Sequence, residues 1–180
     1  DAENVYLKWT DEYKIAREFL FGTDEVQQNF SEALSRLIAE AQMGNILAVY
    51  DLGRIYSSGL GVDKNMEVAH EYYVKALVGF KEVEAQKPWK YTEYRIGKMV
   101  ASGLGTVQDY QEAAEWFELS AEKKYKYAQY SLGALYYCGQ GVEQDLGKAF
   151  ELYLKSAKQG FPYADFEVAK MFRDGFGTDK

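Results

Sequence analysis

Residues 128–160 read AQYSLGALYYCGQGVEQDLGKAFELYLKSAKQG, and this stretch decides the fold. Ala128, Leu132, Gly133 and Tyr136 fall at i, i+4, i+5 and i+8, one stripe of a 3.6-period helix. Gly139-Gln140-Gly141 breaks that helix, because glycine reaches positive φ without a steric penalty. Asp145 stands where a carboxylate caps a second helix. Ala149, Leu152, Tyr153 and Ser156 form the second stripe, closed by Lys158 and Gly160 in keeping with the helix dipole and a C-terminal glycine. Neither helix is long enough to be stable alone. The spacing predicts an antiparallel pair in which each stripe buries the other.

The same pattern runs through the chain. Gly139 and Gly141 recur as Gly59 and Gly61, Gly103 and Gly105, and Gly175 and Gly177. The opening small residue is Ala48, Thr92, Ala128 or Ala164, followed by Leu52-Gly53, Ile96-Gly97, Leu132-Gly133 or Val168-Ala169. The cap reads Asn29, Asn65, Asp109 and Asp145, with Ala33, Ala69, Ala113 and Ala149 four residues on. The period is 36 residues, lengthened to 44 between the second and third units. A fixed period of this size predicts stacked helical hairpins.

The pattern A-x-x-x-L-G-x-x-Y-x-x-G-x-G-V-x-x-D-x-x-K-A resembles the Sel-1-like repeat, a relative of the tetratricopeptide repeat. The central unit follows it through Val142, Asp145, Lys148 and Ala149, and the resemblance covers roughly residue 16 to the end. The first copy departs from it, with Thr23 and Glu25 where the turn glycines belong. The resemblance implies an all-α solenoid, a right-handed superhelix whose usual task is protein–protein scaffolding rather than catalysis. The repeats fall near 9–44 (degenerate), 45–80, 89–124, 125–160 and 161–180 (partial), within a single domain.

Composition narrows the function. A hydrophobic content of 47% suffices for a continuous core, and a net charge of −7 argues against nucleic acid and anionic membranes as partners. No apolar run is long enough for a transmembrane helix. The single cysteine, Cys138, excludes an intrachain disulfide, unlike cysteine-rich secreted relatives, and favours a reducing compartment such as the cytoplasm, with secretion or a periplasmic location left open. The sequence begins without a methionine or a signal peptide, so a targeting segment is either removed or lies outside it.

Along the chain, Val5, Trp9, Tyr13, Ala16 and Leu20 predict a helix over 4–21. Further helices are expected at 30–42, 47–57, 66–78, 89–101, 110–123, 126–137, 146–158 and from Pro162 to about Arg173. The insertion Lys81–Pro88 reads as a prolonged helix end plus an enlarged loop at a repeat junction, with Pro88 in the first turn of the next helix. The last turn is followed only by Thr178, Asp179 and Lys180, which suggests a fragment of a longer protein. Ala164, Val168 and Phe172 would then present apolar surface, open to self-association.

Catalytic and cofactor readings lack parts. His70 has no second histidine or cysteine near it, so neither a zinc site nor a triad assembles, and it reads as a solvent-facing or hydrogen-bond-satisfied side chain. Cys138 has no cationic sequence neighbour to activate it and reads as partly buried. The Gly-x-Gly turns follow no strand and do not continue to Gly-Lys-Ser/Thr, and the acidic turn residues do not match an EF-hand loop. Trp9, Trp89 and Trp116 read as core. No catalytic, cofactor-binding or metal-binding residue is assigned.

One stripe remains. At about 100° per residue, positions 47, 50 and 54 face away from positions 48, 52 and 56. Its equivalents give Leu47, Tyr50 and Arg54; Tyr91, Tyr94 and Lys98; Tyr127, Tyr130 and Ala134; Tyr163, Phe166 and Lys170; with Tyr137 and Arg173 one turn further. Packing between helices is the favoured competing reading for Tyr50, Tyr94, Tyr130 and Phe166, and is equally open for Tyr91, Tyr127 and Tyr163. As a binding surface, the stripe is an aromatic ladder with basic residues, suited to a protein or peptide segment carrying acidic groups in the concave groove. The alternative is a non-catalytic module of a larger bacterial enzyme, since the repeats also resemble arrays appended to mobile-element relaxases.

Overall fold

The computed structural model describes residues 7–177. Among them every regular element is a helix: α1 (Asp11–Phe21), α2 (Phe30–Gln42), α3 (Ile46–Ser58), α4 (Met66–Gln86), α5 (Lys90–Ser102), α6 (Tyr110–Glu122), α7 (Lys126–Cys138), α8 (Leu146–Ala157) and α9 (Pro162–Asp174). The chain divides into two compact units, one ending at Lys87 and one beginning at Pro88. In the first, α1 packs on α2, α2 on α3 and α3 on α4; in the second, α5 through α9 pack in the same sequential way.

Each hairpin is held as the stripes require. Ala128, Leu132, Ala149 and Tyr153 are buried, as are Ile96, Ala113 and Phe117 one repeat earlier. Each large side chain so buried contributes about 1.5–3 kcal/mol. The helical glycine makes room for an aromatic ring: a Cβ on Gly97 would lie 2.7 Å from the Phe117 ring, and one on Gly133 would lie 3.0 Å from the Tyr153 ring. Asn29, Asn65, Asp109 and Asp145 cap α2, α4, α6 and α8 by accepting backbone N–H groups. Ser120 and Ser156 donate to the carbonyls of Lys90 and Lys126, tying each second helix to the start of its partner.

The turn glycines have separate tasks. Gly139 closes α7 in the left-handed conformation at φ 66°. Gly141 allows contact with the preceding repeat, since a Cβ there would fall 2.2 Å from the carbonyl carbon of Tyr110. In the first copy, Gly22 takes the C-cap at φ 73°, and the Thr23 hydroxyl accepts the N–H groups of Glu25 and Val26. The turn therefore closes without glycines at positions 23 and 25.

Several expectations are corrected. The first helix begins at Asp11 with Thr10 as its cap, so Trp9 precedes it; Val5 lies outside the described residues. Trp9 is exposed and Trp89 and Trp116 are half-buried, so none is a core residue. The insertion prolongs the helix as expected but adds no enlarged loop: α4 runs to Gln86, with Val83 and Glu84 buried along it, and α5 opens at Lys90. Pro88 stands outside the next helix, ahead of its N-cap Trp89. In α9, Ala164 is fully buried, whereas Phe166 and Phe172 are exposed. Thr178, Asp179 and Lys180 lie outside the described residues.

Candidate functional site

The first helices of the three repeats in the second unit start in an unusual way. Their N-cap residues are Trp89, Tyr125 and Phe161, none of which makes a side-chain capping bond. A polar cap at each position would contribute about 1 kcal/mol. Instead each aromatic residue packs on the tyrosine two positions later. Ring centroids are 5.2 Å apart for Trp89–Tyr91, 5.2 Å for Tyr125–Tyr127 and 5.5 Å for Phe161–Tyr163.

The rings then connect one repeat to the next. Tyr94 of α5 meets Tyr125 at 5.3 Å and Tyr127 at 6.0 Å. Tyr127 and Tyr130 of α7 each meet Phe161 at 5.1 Å. Tyr94 and Tyr130 also touch the core rings Phe117 and Tyr153, at 5.9 Å and 5.4 Å. These two tyrosines thus serve packing and surface together. Burial raises the pKa of Tyr125 and Tyr130, with the charge of Glu167 adding to the effect at Tyr130.

Between these helices opens a cleft of about 290 Å³. Tyr94, Tyr127, Tyr130, Phe161 and Tyr163 form its aromatic walls, and Lys98 and Ser131 supply the polar ones. Tyr163 is 68% exposed. Roomier hollows lie elsewhere on the unit, of about 570 Å³ beside Lys124, Lys155, Glu118 and Glu122, and about 600 Å³ beside Tyr136, Asp145 and Lys148. Lys148 there already bonds the Tyr136 hydroxyl at 2.8 Å and approaches Glu118 at 3.9 Å. The aromatic cleft is smaller but carries the more distinctive chemistry.

The remaining stripe residues disperse. Tyr50 and Arg54 belong to the first unit, where Tyr50 packs on Tyr73 at 5.5 Å and the Arg54 guanidinium stacks 5.5 Å from the Phe21 ring. Leu47, expected on the open face, is buried. Tyr91 accepts a hydrogen bond from Arg95 at 2.8 Å. Tyr137 lies under Lys170, whose ammonium is 5.0 Å from its ring. Lys170 and Arg173 are not free charges: Lys170 pairs with Glu167 at 3.0 Å, and Arg173 with Asp174 at 2.7 Å. Tyr125 and Phe161 were missed by the stripe because they precede their helices, yet aromatic-x-Tyr recurs at 89–91, 125–127 and 161–163.

Elsewhere the chemistry is structural. In the first unit the Tyr13 hydroxyl donates to the buried Asp51 carboxylate at 2.6 Å, and Arg17 pairs with it at 3.1 Å. His70 and Cys138 are both exposed, which corrects the partly buried reading of the cysteine. Among the described residues, no three His, Cys, Asp or Glu side chains converge as metal ligands, and no helix is long and apolar enough to cross a membrane.

The Sel1 repeat model matches residues 12–35, 46–77, 91–125 and 126–161. The chain belongs to the Sel1 repeat family. Sel1 repeats are generally protein–protein interaction modules. Among solved structures, a Sel1 repeat protein from Oxalobacter formigenes is 27% identical with a TM-score of 0.69, the match covering 93% of this chain and 64% of that one. A protective antigen present in uropathogenic Escherichia coli strains, displaying the same repeat fold, is 28% identical with a TM-score of 0.64, over 93% of this chain and 34% of that one. An immunity protein from Pseudomonas aeruginosa shares the fold at 20% identity and a TM-score of 0.51, over 85% of this chain and 66% of that one. The chain thus spans less than two thirds of the first two. No curated protein matches it significantly.

Proposed function

We propose that the Sel1 repeats of the second unit form a protein-interaction module in which the face of α5, α7 and α9 binds a peptide or protein segment carrying acidic groups. The observation that supports this most is the cleft walled by Tyr94, Tyr127, Tyr130, Phe161 and Tyr163 with Lys98 beside them. Rings already held against one another lose little freedom on binding, so their contact area converts efficiently into affinity. Lys98 and the Lys126 ammonium, 5.4 Å from the Tyr127 ring, give the face a positive rim in a chain of net charge −7. Such charges set orientation and association rate more than affinity.

A random-peptide display selection on the whole chain tests the reading, with a Tyr127→Ala/Tyr163→Ala variant as counter-target. Sequences enriched in Asp or Glu that are retained by the parent and lost on the variant are expected. Enriched peptides that bind both proteins alike place the binding surface elsewhere.

A further inference from the structure

Every polar side chain that lines this cleft carries a hydrogen-bond donor. Lys98 brings an ammonium, which only donates hydrogen bonds, and Tyr127, Tyr130, Tyr163 and Ser131 bring hydroxyls that make no hydrogen bond to the described chain. No carboxylate or side-chain amide lines it. A ligand rich in acceptors and poor in donors therefore loses least on entering. A helix does not fit that description, because its carbonyls are used internally. An added β-strand needs a sheet edge, and the described residues contain no strand.

Resting on the proposed peptide-binding reading, we propose that the occupant is an extended, proline-rich segment with a flanking carboxylate. Proline has no N–H to satisfy, its ring is apolar, and the polyproline helix leaves every carbonyl unpaired and outward. Pyrrolidine rings pack on the walls of Tyr127, Phe161 and Tyr163. The carbonyls accept from the tyrosine hydroxyls, and the flanking carboxylate reaches Lys98. The aromatic-x-Tyr triplet recurring at 89–91, 125–127 and 161–163 presents one aromatic pair per repeat to a ligand that is itself periodic.

The test is a two-dimensional amide NMR titration of the whole chain with three synthetic peptides of equal charge. One is an octaproline flanked by two glutamates, one replaces the prolines with a glycine-serine run, and one is an acidic amphipathic helix former. The proline peptide is expected to shift resonances around Tyr127, Ser131 and Tyr163 and to bind about tenfold more tightly than either other. Tyr163→Ala should remove most of that advantage. Tyr163→Phe, which keeps the ring and loses the donor, should lose part of it. If the helical or glycine-serine peptide binds the cleft as well as the proline one, the proline inference is overturned while the peptide-binding reading stands. If none of the three shifts the cleft at concentrations on the order of 1 mM, both are overturned.

Discussion

Tyr127 and Phe161 meet edge to face with centroids 5.1 Å apart, and Phe161 does so from an N-cap position where its side chain bonds nothing in its own helix. The contact joins α7 to α9 and forms one wall of the cleft. Phe161→Asn removes ring contacts with Tyr127, Tyr130 and Tyr163, each worth about 0.5–1.5 kcal/mol, and gains about 1 kcal/mol of capping. Stability measured by urea unfolding should therefore fall by about 0.5–3.5 kcal/mol, and peptide binding should fall with it. A variant as stable as the parent would contradict the packing role of these contacts.

Alanine normally stabilises a helix interior over glycine by about 1 kcal/mol. At Gly97 and Gly133 the sign should reverse, because the added methyl meets the Phe117 ring at 2.7 Å and the Tyr153 ring at 3.0 Å. Losses of about 1–3 kcal/mol are expected, with Gly97→Ala the larger. Gly141→Ala should be worse than Gly139→Ala: its methyl meets Tyr110 backbone at 2.2 Å, against the Gln144 Cβ at 3.2 Å. Urea midpoints give the order, and a stabilised Gly133→Ala would refute the ring-over-glycine packing.

Alkaline pH should destabilise the protein. Tyr13, Tyr125 and Tyr153 are all raised above their ordinary value of 10.0, chiefly by burial, and at Tyr13 next by the Asp51 charge. A raised folded-state pKa means that the unfolded chain ionises first. The contribution of these groups is fully present below about pH 10 and declines as pH rises above it. Urea midpoints measured across this range should fall, and Tyr13→Phe should flatten the fall at the cost of leaving Asp51 one donor short. A midpoint independent of pH would contradict the burial of these hydroxyls.

Much of the fold was legible because its signals are local and repeated. Asn29, Asn65, Asp109 and Asp145 cap where the period places them, and Gly97 and Gly133 admit rings where the small residues stand. The start of α1 was misplaced because Val5 and Trp9 extend the hydrophobic period past the Thr10 cap, which stops the helix. Tyr94, Lys98, Tyr127, Tyr130 and Tyr163 of the stripe line one cleft, and Tyr50 takes the competing packing role, against Tyr73. A stripe on an isolated cylinder carries no sign of Lys170 bonding Glu167, or of residues ahead of the first turn, such as Tyr125 and Phe161, closing the wall.

Charge reversal separates steering from contact. Lys98→Glu with Lys126→Glu should slow association with an acidic peptide, and more so at low ionic strength, since exposed charges are screened beyond about 10 Å at 0.1 M salt. Stopped-flow rates across a salt series measure it. Equal slopes for parent and variant would remove the positive rim from the account.

Titration calorimetry of a display-selected peptide against the parent and Tyr163→Ala tests the central claim most directly, because Tyr163 is 68% exposed, so that its truncation is expected to spare the hairpins. Affinity should fall about tenfold, or about 1.4 kcal/mol, with the thermal unfolding curve nearly superimposable on that of the parent. Undiminished affinity in a variant that unfolds like the parent would contradict the assignment of the binding face to α5, α7 and α9.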